Sequence, residues 1–221
     1  SKGDVTLTLK GDNHLTGGIS DTGNYGRNGI ASTGSLTITG GENDSLTAQG
    51  GSGADGSYGG HGIYSNGSLT ITGGTVNATG GDGSNVNGSG ISSNGSVTIS
   101  GGTVKAAGGD SKDSYGGDGI RSGGGVTISG GTVKAAGGDS KDGYGGDGIR
   151  SDGGVTISGG TVTANGGDGS SGGDGIRSGD IDLSGSLELT AKAGSPNGKA
   201  LSQDGKELDL DTINKDKLDP G

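Results

Sequence analysis

Residues 116–138 read GGDGIRSGGGVTISGGTVKAAGG, and residues 145–167 read GGDGIRSDGGVTISGGTVTANGG. The second stretch nearly copies the first, 29 residues further on. Working outward from this pair, a Gly-Ile step followed as a rule by polar residues marks the same place six times. The marks are Ile30, Ile63, Ile91, Ile120, Ile149 and Ile176, spaced 33, 28, 29, 29 and 27 residues apart. A near-constant period of this size means one structural unit per repeat, each stacked on the next.

Each unit holds three short runs. The first is Gly119-Ile120-Arg121-Ser122. The second, Val126-Thr127-Ile128-Ser129, alternates apolar with polar, and so does the third, Thr132-Val133-Lys134-Ala135. Alternation with β-branched residues describes strands with one buried face. Gly-Gly, Asn-Gly and Ser-Gly steps between the runs read as turns. Runs this short do not suit the hairpins of a sandwich, whose strands are typically ~5–6 residues. They suit one coil of a three-faced solenoid. The fold expected is therefore all-β: a single-stranded parallel β-helix of about six ~29-residue coils, right-handed as crossover connections almost always are.

The inward positions follow from the alternation. They are the six Gly-Ile isoleucines, pairs such as Val126/Ile128 and Val155/Ile157 in run two, and pairs such as Val104/Ala106 and Val133/Ala135 in run three. Leu, Ile, Val and Phe together number only 36 of 221 residues. That content suits a disordered chain, and only the stacking of identical plugs in a narrow core makes it sufficient. Residues 1–29 are expected to form an N-terminal capping coil, 30–195 the repeats, and 196–221 a C-terminal capping turn, bent at Asp204-Gly205, and a linker.

Composition excludes other classes. Gly accounts for 60 residues, too many for a helical bundle, and no apolar run is long enough to span a membrane as a helix. The net charge is −10, with 15 Lys and Arg against 25 Asp and Glu, which argues against nucleic acid as the partner. With no Cys, disulfides and thiolate metal sites are excluded. Met is absent even at position 1, so a processed or excised piece of a longer chain is expected.

A solenoid turns repeated residues into columns, and three columns carry chemistry. The first is acidic: Asp82, Asp110, Asp118, Asp139, Asp147, Asp168 and Asp174, with Asp113 and Asp142 in the loops between. Stacked like charges repel. Calcium, Lys112 and Lys141, or solvent must offset them. Carboxylates beside Gly-rich turns supply the oxygens that Ca²⁺ prefers, so Asp110, Asp113, Asp118, Asp139, Asp142, Asp147, Asp168 and Asp174 are the candidate metal ligands. The alternative is that these residues cap turns.

The second column is aromatic. Tyr25, Tyr58, Tyr115 and Tyr144 each stand five residues before the isoleucine of their coil, and Val86 and Ser171 fill the place in the other two. Tyrosine rings offer apolar faces and a phenol to sugars; the alternative is that each ring seals its own loop. The third column is cationic. Arg121, Arg150 and Arg177 follow the isoleucine and point outward, with Tyr64 and Ser92 preceding them in the column. A strip of Arg forks suits a uronate polymer; the alternative is an Arg–Asp ladder that neutralises itself. Tyr64, Arg121, Arg150, Arg177, Tyr58, Tyr115 and Tyr144 are the candidate ligand contacts. Hydroxyl columns in run two, such as Thr98/Ser100 and Thr127/Ser129, leave ice binding as a remote reading. No Ser/His/Asp constellation is present, His61 occupies an Asp position of its coil, and no catalysis is expected.

The runs SLTITGG (35–41), SVTISGGTVKAAGG (96–109) and GGDGIRS (116–122), with the opening VTLTLKGDNHLTGG (5–18), resemble the calcium-associated carbohydrate-binding domain family of Gram-positive surface and cellulosome-linked proteins. The resemblance implies a right-handed parallel β-helix, a Ca²⁺ cofactor, and binding to cellulose or polygalacturonate. The module expected is extracellular, secreted or on a bacterial cell surface, without membrane insertion. It would be a monomeric part of a larger chain, with a polysaccharide or a host glycan or protein as its partner. A structural stalk or host-protein adhesin is the other reading.

Overall fold

In the computed structural model, residues 2–19, 25–53 and 57–208 are described. The chain winds into a parallel β-helix in which each coil lays one strand on each of three faces. On face one, Ile120–Ser122 pairs in parallel with Ile91–Ser93 on one side and Ile149–Ser151 on the other, with Ile120 opposite both Ile91 and Ile149. Run two stacks Val97, Val126 and Val155 in the same way. Run three stacks Val104, Val133 and Val162. Every coil of the repeat is thus the hydrogen-bonding neighbour of the next.

The ladders have seven rungs per face among the described residues, one more than the six Gly-Ile marks. The extra rung has two sources. At the N-terminus Val5–Thr8 and Asp12–Thr16 pair in register with Leu36–Thr39 and Ser45–Gln49. At the C-terminus Leu201–Gln203 adds a rung beside Ile176–Ser178. The chain then turns through Asp204 and Gly205, both at positive φ, and Lys206–Glu207 pairs antiparallel with that last strand. This reversal ends the parallel ladder. The linker expected over 211–221 lies outside the described residues.

The core is a rod of aliphatic side chains. Ile63, Ile91, Ile120, Ile149 and Ile176 are fully buried, as are Ile71, Ile99, Ile128 and Ile157. Two further features complete it. Leu46 and Ala48 of Ser45–Gln49 are buried on face three, in a coil that lacks the Gly-Gly-Thr-Val signature. The residue two after each face-one isoleucine also points inward. Ser65, Ser93, Ser122 and Ser151 are buried, and the Ser151 hydroxyl donates to the Gly124 carbonyl (2.8 Å) or the Gly154 carbonyl (3.0 Å). These hydroxyls tie the corner between faces one and two.

The Gly-Gly pairs serve two physical purposes. At the corner between faces two and three the second glycine has positive φ, as at Gly102 (81°) and Gly131 (82°), a conformation unfavourable with a Cβ. The pairs that precede each Asp do something else. They form the neck of a side lobe, where the chain leaves the coil and returns. At that neck a single backbone seam runs along the axis. Gly146 N–H donates to Gly138 (2.9 Å), Gly167 to Gly146 (2.8 Å), Gly173 to Gly167 (2.8 Å) and Gly194 to Gly173 (2.9 Å). A Cβ on Gly146 would stand 2.0 Å from the Gly117 carbonyl oxygen, and one on Gly138 2.1 Å from that of Gly109. No side chain fits there, so the lobe is held against the coil by glycine backbone.

Candidate functional site

The aspartates divide into two ladders. Asp82, Asp110, Asp139 and Asp168 are exposed, and each carboxylate accepts the backbone N–H of the next rung: Asp110 N–H to Asp82 (2.8 Å), Asp139 to Asp110 (2.9 Å), Asp168 to Asp139 (2.8 Å) and Ser195 to Asp168 (2.7 Å). The second ladder is buried. Asp147 N–H donates to Asp118 (2.9 Å), Asp174 to Asp147 (2.7 Å) and Lys199 to Asp174 (2.8 Å). Towards the N-terminus the same column holds Asn28, His61 and Ser89. There His61 N–H donates to Asn28 (2.8 Å), and Ser89 N–H donates to the Nδ1 of His61 (2.9 Å). Asp113 and Asp142 are exposed on the lobe loops, apart from both ladders.

This arrangement bears on calcium. Among the described residues no three acidic or histidine side chains converge as a metal-binding group. One oxygen of each ladder carboxylate is engaged by a backbone N–H of the following rung. The expected ligands are strung along the axis, and the donor set does not fit a six- to eight-coordinate Ca²⁺ site built from their side chains.

Burial dominates the chemistry of the inner ladder. Asp118, Asp147 and Asp174 are 7%, 5% and 8% exposed. Desolvation pushes the Asp118 carboxyl up, against the Asp147 N–H and the guanidinium groups of Arg150, Arg121 and Arg177. Asp147 is pushed up to about 7, first by desolvation and then by Asp118. The Asp174 N–H pulls it down, the Asp174 charge raises it, and Arg177 lowers it. His61 moves the other way. Desolvation and the charge of Arg121 lower it to about 4, so it is a neutral acceptor for Ser89 N–H at neutral pH.

Arg121, Arg150 and Arg177 stand in one column, three residues after each buried aspartate. Arg121 and Arg177 are exposed and Arg150 is half-buried. None of the three guanidinium groups makes a hydrogen bond or a close ion pair among the described residues. The self-neutralising Arg–Asp ladder is therefore absent as a bonded structure, although the charges sense each other.

The tyrosine column is in register as expected, with Tyr25 beside Tyr58, Val86 beside Tyr115, Tyr115 beside Tyr144, and Tyr144 beside Ser171. The rings do not turn their faces outward. Tyr25 and Tyr58 stack at 5.3 Å and 13°, and Tyr115 and Tyr144 at 5.2 Å and 12°. Each pair uses its inner faces on itself and shows edges and phenols to the side. The four tyrosines are each about half exposed.

What the sequence did not reveal is that the columns meet. A groove of about 560 Å³ runs along the C-terminal coils. The side lobe forms one wall with Tyr115 and Tyr144. Asp118, Asp147 and Asp174 lie in its floor, and Arg121, Arg150 and Arg177 border it. Lys199 and Asn197 close its C-terminal end. Two lining side chains, Asn87 and Ser202, carry buried polar atoms (Oδ1 and Oγ) without a hydrogen-bond partner. Tyr58 and Tyr64 are not among the lining residues. Tyr58 stacks on Tyr25, and Tyr64 holds the Arg column's register but stacks on His61 at 5.7 Å and bonds to Asn94.

The comparisons with known proteins agree with this architecture. The model of a family described as a beta helix repeat matches residues 69–95, 97–120, 126–149 and 155–174. The fold is that of a parallel β-helix, and the matched repeats cover less than half of the chain. The four matched segments begin at Leu69, Val97, Val126 and Val155, the first residues of successive run-two strands, so the family pattern tracks the coil. No curated protein and no solved structure matches the chain. No helix of the described residues is long and apolar enough to cross a membrane.

Proposed function

We propose that this β-helix is a non-catalytic carbohydrate-binding or adhesive module of a bacterial cell-surface protein, and that its groove holds an acidic polysaccharide of the polygalacturonate type along the solenoid axis. The observation that carries the reading is the row of three guanidinium groups without bonded partners, one per rung, beside a tyrosine wall. A guanidinium fork matches a carboxylate in geometry and charge. The rung spacing of ~4.8 Å is close to the length of one pyranose residue, so a chain along the axis passes about one sugar per rung, and the carboxylates turned towards the groove meet its arginines. Each contact is weak alone, and repetition along the groove supplies the avidity. The reading is non-catalytic because the columns repeat, and because the one histidine near the groove has its Nδ1 engaged by Ser89.

The test is retention of polygalacturonate and of cellulose by the wild type and by the triple variant Arg121→Ala, Arg150→Ala, Arg177→Ala. The expected result is retention of the acidic polymer, weakened by salt, and loss of about tenfold or more in the triple variant. Unchanged retention by that variant removes the groove from the account. The near-identity of residues 116–138 and 145–167 favours a second reading, a stalk or host-protein adhesin, since a spacer needs only copies. That reading expects no saccharide retention at all.

A further inference from the structure

The stacked tyrosines leave few ring faces free, and where those faces lie is informative. Each pair has two outer faces. Those of Tyr58 and Tyr115 bracket Val86, an apolar residue one rung from each. The outer face of Tyr144 looks onto Ser171, in register one rung further on. Tyr144 has Tyr115 as its ring partner on the other side, and it is 52% exposed.

The wall steps down at this point. The paired ladder positions are eight residues apart at Asp139 and Asp147, six at Asp168 and Asp174, and four at Ser195 and Lys199. The lobe shortens coil by coil, and Ser171 stands where a further tyrosine would continue the stack. The next rung beyond is short and tight, with Gly172 N–H donating to the Pro196 carbonyl (2.6 Å). Next in the chain, Asn197 has a left-handed backbone (φ 65°). Asparagine tolerates this conformation, and the chain turns there towards Lys199. Tyr144, Ser171, Asn197, Lys199 and Arg177 all line the same end of the groove.

We propose that the uncovered face of Tyr144, above Ser171, is a stacking platform for one pyranose ring of a uronate chain, with that sugar's carboxylate taken by Arg177 and Lys199. This deepens the groove reading above and rests on it. The chemistry is that of an aromatic face meeting the C–H side of a sugar while cations take its acidic edge. The platform makes the groove polar in direction, because the outer face of Tyr115 at the other end looks onto the apolar Val86, whereas that of Tyr144 looks onto the small Ser171 beside Arg177.

The experiment uses the whole chain and tetragalacturonate as the probe, with affinity read by calorimetry and folding by thermal melting. Ser171→Tyr adds the ring that the stack lacks and covers the platform. It is expected to weaken binding about tenfold with melting unchanged or raised, while Ser129→Tyr, which adds the same ring at an exposed position outside the groove, binds like the wild type. In the wild type, saturation-transfer NMR with irradiation of the tyrosine ring protons is expected to mark one sugar residue of the four more strongly than the others. Even marking of all four overturns the platform, whatever the variants do. If Ser171→Tyr keeps full affinity while the triple arginine variant loses it, the platform falls and the groove stands. If the triple variant keeps full affinity, or the wild type binds neither tetragalacturonate nor the polymer, both fall.

Discussion

The N-terminal and C-terminal halves of the solenoid share one set of columns and fill them differently. In the inner ladder, Asn28, His61 and Ser89 give way to Asp118, Asp147 and Asp174. In the column three residues later, Ala31, Tyr64 and Ser92 give way to Arg121, Arg150 and Arg177. An acceptor for the next backbone N–H is what the ladder needs, and Asn28 and His61 provide it without charge. Burying three carboxylates in the C-terminal half therefore adds an electrostatic cost that the fold does not require. The arginines arrive at the same rungs, and those rungs form the groove. The charged half holds the groove and the neutral half continues the rod.

The two halves share one device, the glycine neck, and breaking it has the largest expected effect. Gly146→Ala places a Cβ 2.0 Å from the Gly117 carbonyl oxygen, and Gly60→Ala places one 2.3 Å from that of Arg27. Backbone on both sides leaves no room to relax, so both variants are expected to fail to give folded protein. Gly125→Ala is the contrast: its nearest neighbour would be 3.4 Å away, and its φ is not positive. It should melt within a few degrees of the wild type. If Gly60→Ala folds and Gly146→Ala does not, the neck is a property of the charged half alone.

Acidity separates the halves next, and with opposite signs. The folded Asp147 has a pKa of about 7 against 3.8 for the free group, so the fold binds its proton more tightly than the unfolded chain. Its contribution is fully present below pH 3.8 and is lost as pH rises towards 7, a change of about 4 kcal/mol. His61 has a folded pKa of about 4 against 6.5. Its contribution is present above pH 6.5 and is lost as pH falls to 4, about 3 kcal/mol. The two oppose each other in the wild type. Denaturant unfolding at pH 4, 5.5 and 8 pulls them apart. Asp147→Asn, which keeps an acceptor for Asp174 N–H, should be more stable than the wild type at pH 8 and lose that advantage by pH 4. His61→Asn, which copies Asn28, should match the wild type at pH 8 and exceed it at pH 4. Parallel curves for all three proteins would mean that neither group is desolvated as placed.

The solenoid was legible in the sequence because its information is periodic. Ile120 beside Ile149 follows from the repeat alone, and so does every column. The strand Ser45–Gln49 escaped because Ser45-Leu46 stands where Thr75-Val76 marks run three, with Glu42-Asn43-Asp44 set between it and Gly40-Gly41. The buried serines escaped because alternation in a three-residue run is too brief to assign Ser122 to the inside. The groove escaped for a deeper reason. Glycine at a neck and glycine at a turn look alike in sequence, yet only the neck folds the lobe back, and that brings Tyr144 to the same cleft as Arg150. The tyrosine column was readable; its ring orientation was not, because rung spacing lets neighbouring rings satisfy each other.

Val86 is where the two halves could be joined. It interrupts the tyrosine column between Tyr58 and Tyr115 and is 44% exposed. Val86→Tyr would continue the stack on both sides. Each aromatic pair contributes about 0.5–1.5 kcal/mol beyond its buried area, so melting should rise by a few degrees. A fall in melting temperature would mean that the lobe around Val86 has no space for a ring, and that the aromatic wall is two separate features.

Calcium provides the finest discrimination, because the expected effect is none. The carboxylates proposed for it lie almost wholly in the charged half, so a bound cation would stabilise that half and leave the other alone. The ladders supply a different account of six of these eight residues: each ladder carboxylate accepts an N–H of the following rung, Asp113 and Asp142 stand apart on the lobe loops, and no three of the eight converge among the described residues. Hydrogen exchange on the whole chain, with chelator and with millimolar Ca²⁺, reports the two halves separately. Equal protection in both conditions is expected throughout. Added protection confined to coils 110–174 would mean that the aspartate oxygens left free by the ladder, together with backbone carbonyls, hold a cation after all. The excess of carboxylates in the C-terminal half would then be explained by metal rather than by the arginines above them.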